Sequence, residues 1–169
     1  LGAYAAICRE TGRPFVFPGS PQQYEAVVDI TDGRIIAKHL AWASTKAVAR
    51  NNAFNIVNGE VFRWSWLWPK LAAYWDLAPG EYPGHAQPLE KQMAGTEKVW
   101  DKIVARHGLQ QNPLGTVASW WHSDADLGRV IENFNDMTKS RDMGFTAYQN
   151  SVSSFTDAWD KFRDAKVLP

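Results

Sequence analysis

The residues with the widest chemical range lie close together: His122, Ser123, Asp124 and Asp126 fall within the stretch "WHSDAD". An imidazole, a hydroxyl and two carboxylates are the groups of nucleophilic hydrolysis and also of a metal site. Both chemistries gather side chains from separated segments, because neighbours in sequence seldom point at one another. The stretch therefore reads as a polar loop in which Ser123 or Asp124 caps a short turn, with catalysis or metal binding as the alternative. The other histidines, His39, His85 and His107, show no H-E-x-x-H or comparable metal spacing. His39 falls on an apolar helix face, where a hydrogen-bonded core histidine is expected. No G-x-G-x-x-G turn, no G-x-x-x-x-G-K-[ST] phosphate cradle and no G-x-S-x-G elbow occurs. None of the five tyrosines is followed by lysine four residues later. No catalytic, cofactor-binding or metal-ligating set is therefore assigned within these residues.

The second concentration of chemistry is aromatic. "FRWSWLWPKLAAYW", residues 62 to 75, holds four tryptophans, a phenylalanine and a tyrosine. Exposed aromatics make stacking platforms for sugars and bases. Here Trp64, Leu67, Trp68, Leu71, Tyr74 and Trp75 recur at helical steps of three and four, which predicts a helix with most of the tryptophans buried. Trp64, Trp66 and Trp68 also alternate with period two, so a strand is the competing reading; "KLAAY" favours helix. Pro69 fits if the helix begins near Ser65. Trp66 or one other tryptophan is left to line a pocket.

The elements that must position these groups are mostly helical. Leu1, Tyr4, Ala5 and Cys8 predict an amphipathic helix closed by Gly12. Thr31 or Asp32 caps another, with Ile35, Ile36, His39, Leu40 and Ala43 on one face. Further helices are expected over "LEKQMAG", over "TEKVWDKIVARHG" with Thr96 as cap and Gly108 as stop, and over "MTKSRDMG". The last spans "SVSSFTDAWDKFRDA", with Val152, Phe155, Trp159 and Phe162 inward. "PFVF", "YEAVVDI", "NAFNIVN" and "VIENFND" read as short strands. The fold class is thus α+β, mainly helical, in a single domain over residues 1–169.

Bulk composition narrows the function. Eighteen basic residues balance eighteen acidic ones, and no block of like charge appears, so neither nucleic acid nor an anionic membrane is an expected partner. No apolar run approaches the roughly 18 residues of a membrane span. The single cysteine, Cys8, cannot pair within the chain, which favours a reducing, cytoplasmic setting. The chain opens directly on helix without a methionine and reads as cut at that end.

Seven stretches in order, "AYAAICRETG", "FPGS", "DITDGRIIAKHLAWA", "NNAFNIVNGEVFRWSWLWPKLA", "VWDKIV…HGL", "DMTKSRDMGF" and "FTDAWDKFRDAKVLP", resemble the C-terminal half of the progesterone 5β-reductase and iridoid synthase family. That family lies within the extended short-chain dehydrogenase/reductases, the epimerase/dehydratase superfamily. The resemblance implies a missing N-terminal Rossmann half that binds NADPH, and hydride transfer to a small hydrophobic enone-type carbonyl substrate. It implies a C-terminal substrate-binding domain that closes over the substrate and is inactive alone, with no cofactor held by this fragment. The family's tyrosine and lysine would lie upstream. The aromatic loop after "KSR…GF" makes Phe145 and Tyr148 candidate substrate contacts. "NAFNIVN" would lie near the edge of the Rossmann sheet. Aromatic surface at the seam to the absent half is expected to drive self-association into a homo-oligomer. Two other readings stand beside this one: a non-enzymatic, aromatic-rich ligand-binding module, and the C-terminal part of a nucleotide-sugar epimerase or dehydratase.

Overall fold

Helix α1 (Gly2–Thr11) is buried on all sides from Gly2 to Cys8, so it is a central core helix rather than the amphipathic surface helix its spacing predicts. The computed structural model describes residues 1–169. Small residues make the central position possible. A Cβ at Gly2 would stand 2.5 Å from Leu168 Cδ1 and 3.0 Å from Trp159 Nε1, so a larger residue would have to displace those side chains. Gly12 ends the helix in the left-handed region at φ 67° and donates to the Cys8 carbonyl.

After α1 come α2 (Pro21–Glu25), α3 (Gly33–Thr45), a 3-10 turn (Ala47–Ala49), α4 (Trp64–Tyr74), α5 (Leu89–Gln92), α6 (Glu97–His107), α7 (Leu114–Val117), α8 (Trp120–Leu127), α9 (Thr138–Asp142) and α10 (Ser151–Asp164). Helix α6 packs on α1 through Trp100, Ile103 and Val104, and α10 packs on α4. None of the helices is long and apolar enough to cross a membrane.

The tryptophan stretch is helical from Trp64. Trp64, Leu67, Trp68, Leu71 and Ala72 are buried within it, and Trp75 just beyond its end. Its start lies one residue earlier than predicted, and Pro69 sits inside it. The proline removes the donor for the Ser65 carbonyl, at a place where Pro69 is exposed and Ser65 only half-buried. Trp68 Nε1 donates to the Phe15 carbonyl at 2.9 Å while its ring stacks on Phe15 at 4.3 Å. That pair joins α4 to the extended segment after α1.

The expected strands form no sheet. They are reduced to isolated bridges, Phe15 with Pro79, and Val28 with both Phe62 and Asn133. Tyr24 and Glu25, expected in a strand, belong to α2, which Ser20 caps by accepting from Gln23 N–H. Residues 53–58 run extended without a ladder: Asn58 N–H donates singly to the Ile30 carbonyl. A strand pattern becomes a strand only where a neighbour supplies a row of partners.

Three further expectations change. On α3, Asp32 provides the cap, but only Ile35 and His39 are buried, while Ile36 and Leu40 are exposed. Thr96 precedes α6 without capping it, because its hydroxyl donates to the Met93 carbonyl. On α10, Trp159 is buried and Phe155 packs on the core, whereas Phe162 is 49% exposed.

Substituting Trp68→Ala should lower unfolding free energy by about 3–5 kcal/mol. Trp66→Ala, two residues away on the exposed side, should change it by under about 1 kcal/mol. Urea titration of both variants checks the pair.

Candidate functional site

The candidate site begins at Val28. Its N–H donates to the Phe62 carbonyl and its carbonyl accepts from Phe62 N–H, both at 2.9 Å, and it also bridges Asn133. Three extended segments are thereby gathered in front of α2, α4, α8 and α10. Between them is a cavity of about 240 Å³. Leu1, Val28, Ile30, Trp64, Leu127 and Phe155 supply its apolar wall, and Gln23, Asp29, His122, Ser123, Asp126, Arg129 and Asn133 its polar groups.

Most of those polar groups already have partners. Asp29 accepts from Asn135 N–H at 2.5 Å and from the Asn135 amide at 3.1 Å. Asp126 pairs with Arg129 at 2.5 Å, and His122 Nε2 stands 3.9 Å from the same carboxylate. Ser123 donates to the Ser119 carbonyl. The Gln23 side chain is 5% exposed, and its Oε1 meets no donor. Ser20 locks the base of the site by donating to the Arg129 carbonyl while capping α2.

"WHSDAD" therefore belongs to an eight-residue helix rather than to a loop. Asp124 does cap a helix, but a distant one, accepting from Leu89 and Glu90 N–H at 2.7 and 2.9 Å. His122, Ser123 and Asp126 form one rim of the cavity, in no triad geometry. No three metal-ligating side chains converge anywhere in the chain.

Ile30 and Phe155 also border a second, open cleft of about 560 Å³ between the start of α3 and α10. Arg34 crosses its floor, bonded to Asp32 at 2.6 Å and Asp157 at 2.5 Å. Hydrogen bonds from the Arg34 side chain hold the Asp32 carboxyl well below the usual carboxylate range.

Comparison with known proteins gives these residues a lineage. The family model for the PRISE-like Rossmann-fold domain matches residues 1–169. The chain belongs to the PRISE-like family. It is 38% identical to an (S)-8-oxocitronellyl enol synthase of Nepeta cataria and 37% identical to a 3-oxo-Delta(4,5)-steroid 5-beta-reductase of Arabidopsis thaliana. An (S)-8-oxocitronellyl enol synthase of Antirrhinum majus is 35% identical. Each alignment covers 100% of this chain and 44% of the relative. The chain thus spans less than half the length of these curated relatives and, within a family named for a Rossmann fold, contains no parallel sheet.

In this PRISE-like chain the residues singled out from the sequence stand apart from one another. Trp66 is 49% exposed beneath Lys70 Nζ at 4.5 Å and lines a surface groove with Val27, Val61, Phe62 and Arg63. Tyr148 is 73% exposed, beside Gly59. Phe145 is buried in a small second core, against His39 at 4.5 Å and Trp42 at 5.5 Å. None of the three lines the 240 Å³ cavity. Trp64 and Phe155, which do, carry only the periodicity of core residues. Gln23 carries no sequence signal, since its identical neighbour Gln22 is exposed.

His39 takes Ser140 as its partner at 3.1 Å, and burial pushes its imidazole below the ordinary value of about 6.5. Below pH 6.5 the unfolded chain binds a proton that the folded chain refuses, so stability falls as pH falls and is fully present above that value. Between pH 8 and pH 5 the melting temperature of the wild type should fall more steeply than that of His39→Gln.

Proposed function

We propose that residues 1–169 are the substrate-binding half of an NADPH-dependent reductase. Its substrate is a small hydrophobic carbonyl compound with a conjugated carbon–carbon double bond, and it is inactive without an upstream dinucleotide-binding half. One observation carries the reading: the whole chain aligns at 37–38% identity with an enol synthase and a steroid reductase while spanning 44% of each.

The chain's own residues do not fit a dinucleotide. It has no parallel sheet and no glycine-rich strand-to-helix turn, and the longest early helix, α3, carries the Asp32 carboxylate at its N-terminus where a phosphate would need free N–H groups. When bound to the upstream half, NADPH supplies hydride. What residues 1–169 contribute is orientation and exclusion of water. Val28, Ile30, Trp64, Leu127 and Phe155 offer an apolar bed, which strengthens any electrostatic interaction with the carbonyl by removing solvent. Trp66 and Tyr148 lie outside this bed and would reach the substrate only on docking with the upstream half, and Phe145 anchors the loop that carries Tyr148. The setting is cytoplasmic. The buried Cys8 thiol, whose pKa burial pushes up to about 11, does no chemistry there.

Titrating the 169-residue chain with NADPH, followed by tryptophan fluorescence and calorimetry, should give no saturable binding up to millimolar cofactor. Enone reduction should appear when the upstream half of the Arabidopsis relative is joined before Leu1. Tight NADPH binding, or turnover by the chain alone, would overturn the proposal.

Exposed apolar side chains on two faces, Ile36, Leu40 and Val48 on one and Val61 and Trp66 on the other, favour self-association of the isolated chain. Light scattering should show mass rising with concentration; a constant monomer mass would exclude it.

A further inference from the structure

The buried side chains form two separate cores. The larger gathers around α1, α4 and α6; the smaller holds Ile35, Val57, Met137 and Phe145. Asn58 lies where they meet. Val57 before it belongs to the smaller core, and Ile30, to which it is bonded, packs on the larger. Asn58 is 0% exposed, at a position where an apolar side chain would fill the space without a desolvation cost. The amide is instead engaged at both ends. Nδ2 donates to Ser154 Oγ at 3.1 Å and Ser151 Oγ at 3.3 Å, and Oδ1 accepts from Asp32 N–H at 2.8 Å. Its backbone N–H donates to the Ile30 carbonyl and its backbone carbonyl accepts from Gln149 N–H, both at 2.9 Å.

Those five bonds end on segments that carry the candidate site. Ile30 lines both the 240 Å³ cavity and the open cleft beside it, and so does Phe155, the residue after Ser154. Gln149 closes the loop that runs from the buried Phe145 through the exposed Tyr148. Gly59 and Glu60 add to the same junction. The Gly59 carbonyl accepts from Arg141 of α9 at 3.0 Å, and the Glu60 carboxylate accepts from Ser151 N–H at the start of α10. Hydrogen bonds fix direction where apolar packing leaves freedom to slide, and a buried network with its partners in place specifies one arrangement. One residue thus sets a cavity wall and an aromatic loop relative to each other.

We propose that Asn58 is a positioning residue: it holds the Phe145–Gln149 loop in a fixed place relative to the Ile30 and Phe155 wall, so that Tyr148 and the apolar bed meet a substrate as one unit. The proposal rests on the reading of the cavity as the substrate bed and adds to it. Asn58 is enclosed and touches no substrate; it acts through Phe155 and Tyr148. A displacement of about 1 Å in such supports is enough to cost about 100-fold in turnover.

Hydrogen exchange on the 169-residue chain tests the coupling without any ligand. In Asn58→Leu the amides of residues 58 and 149 keep their backbone acceptors, so faster exchange there reports movement and not the loss of a partner. Both should exchange at least about tenfold faster than in the wild type, while the Ile103 and Val104 amides of α6 keep their rates. Ile103→Ala, which weakens the larger core away from Asn58, should not single out residues 58 and 149. Unchanged exchange at Gln149, or a rise of equal size in α6, would overturn the proposal and leave Asn58 an ordinary stabilising residue. If Asn58→Leu does not fold, Ser154→Ala removes one of the same bonds and should raise exchange at the same two amides. With the upstream half joined before Leu1, Asn58→Leu should lower kcat for enone reduction by about tenfold or more, with KM changed less. Ile103→Ala should leave kcat near that of the wild type. Local loosening with kcat retained would overturn the positioning role. Local loosening beside a joined wild type that reduces no enone would sink the reductase reading while confirming that Asn58 couples the two segments.

Discussion

The structure depends on one buried donor. Trp68 must place its Nε1–H where it is satisfied, and the available acceptor is the Phe15 carbonyl, in a segment that belongs to no ladder beyond a single bridge. Satisfying that donor draws the Phe15–Phe17 segment, whose Phe15 carbonyl also accepts from Gly80 N–H, against α4. Phe17 then packs edge-on to Trp68 and against Trp64 and Tyr24, so the same contact sets the position of α2. Gln23 on α2 and Trp64 on α4 face a common cavity because Phe15 and Phe17 hold the two helices in register. The site is thus a consequence of core packing and not a separate construction on the surface.

Much of the helical content was legible because it is written in repeated, redundant signals. Helix α6 shows Val99, Trp100, Ile103 and Val104 on one face and ends at Gly108 in the left-handed region, and α1 ends in the same way at Gly12. What the pattern misjudged was environment. A helix rich in alanine looks amphipathic on paper, yet α1 is enclosed throughout, because small side chains carry little outward signal and permit close approach. The strand readings failed for a related reason. Alternation records which residues prefer an extended backbone, whereas a sheet also needs neighbouring rows of donors and acceptors, and these 169 residues supply them only at single points.

The candidate site was less legible than the fold. "WHSDAD" attracted attention by composition, but its carboxylates are committed: Asp124 to the start of α5 and Asp126 to Arg129. Trp64 and Phe155 are indistinguishable by spacing from the core residues Trp68 and Trp159. Gln23 differs from Gln22 only in which side of a five-residue helix it occupies. A partner found across the fold, or the lack of one, is a property of three-dimensional neighbours, and neither composition nor period encodes it.

The three extended segments that meet at Val28 bear on how the two proposed halves fit. Side chains alternate along extended backbone, so Val28 and Phe62, both buried, face the core, while Val27 and Val61 face the other way. In an antiparallel layer with one wet side, the outward positions are polar. Here Val27 and Val61 share a groove of about 400 Å³ with Trp66 and Arg63, so the outer side is mixed, apolar with a charged edge. The inner face already has the core of this chain. The outer face suits the proposed upstream half, and a substrate on the cavity side of Val28 would then lie one layer from that seam. Closure of the two halves and closure over the substrate would in that case act through the same segment.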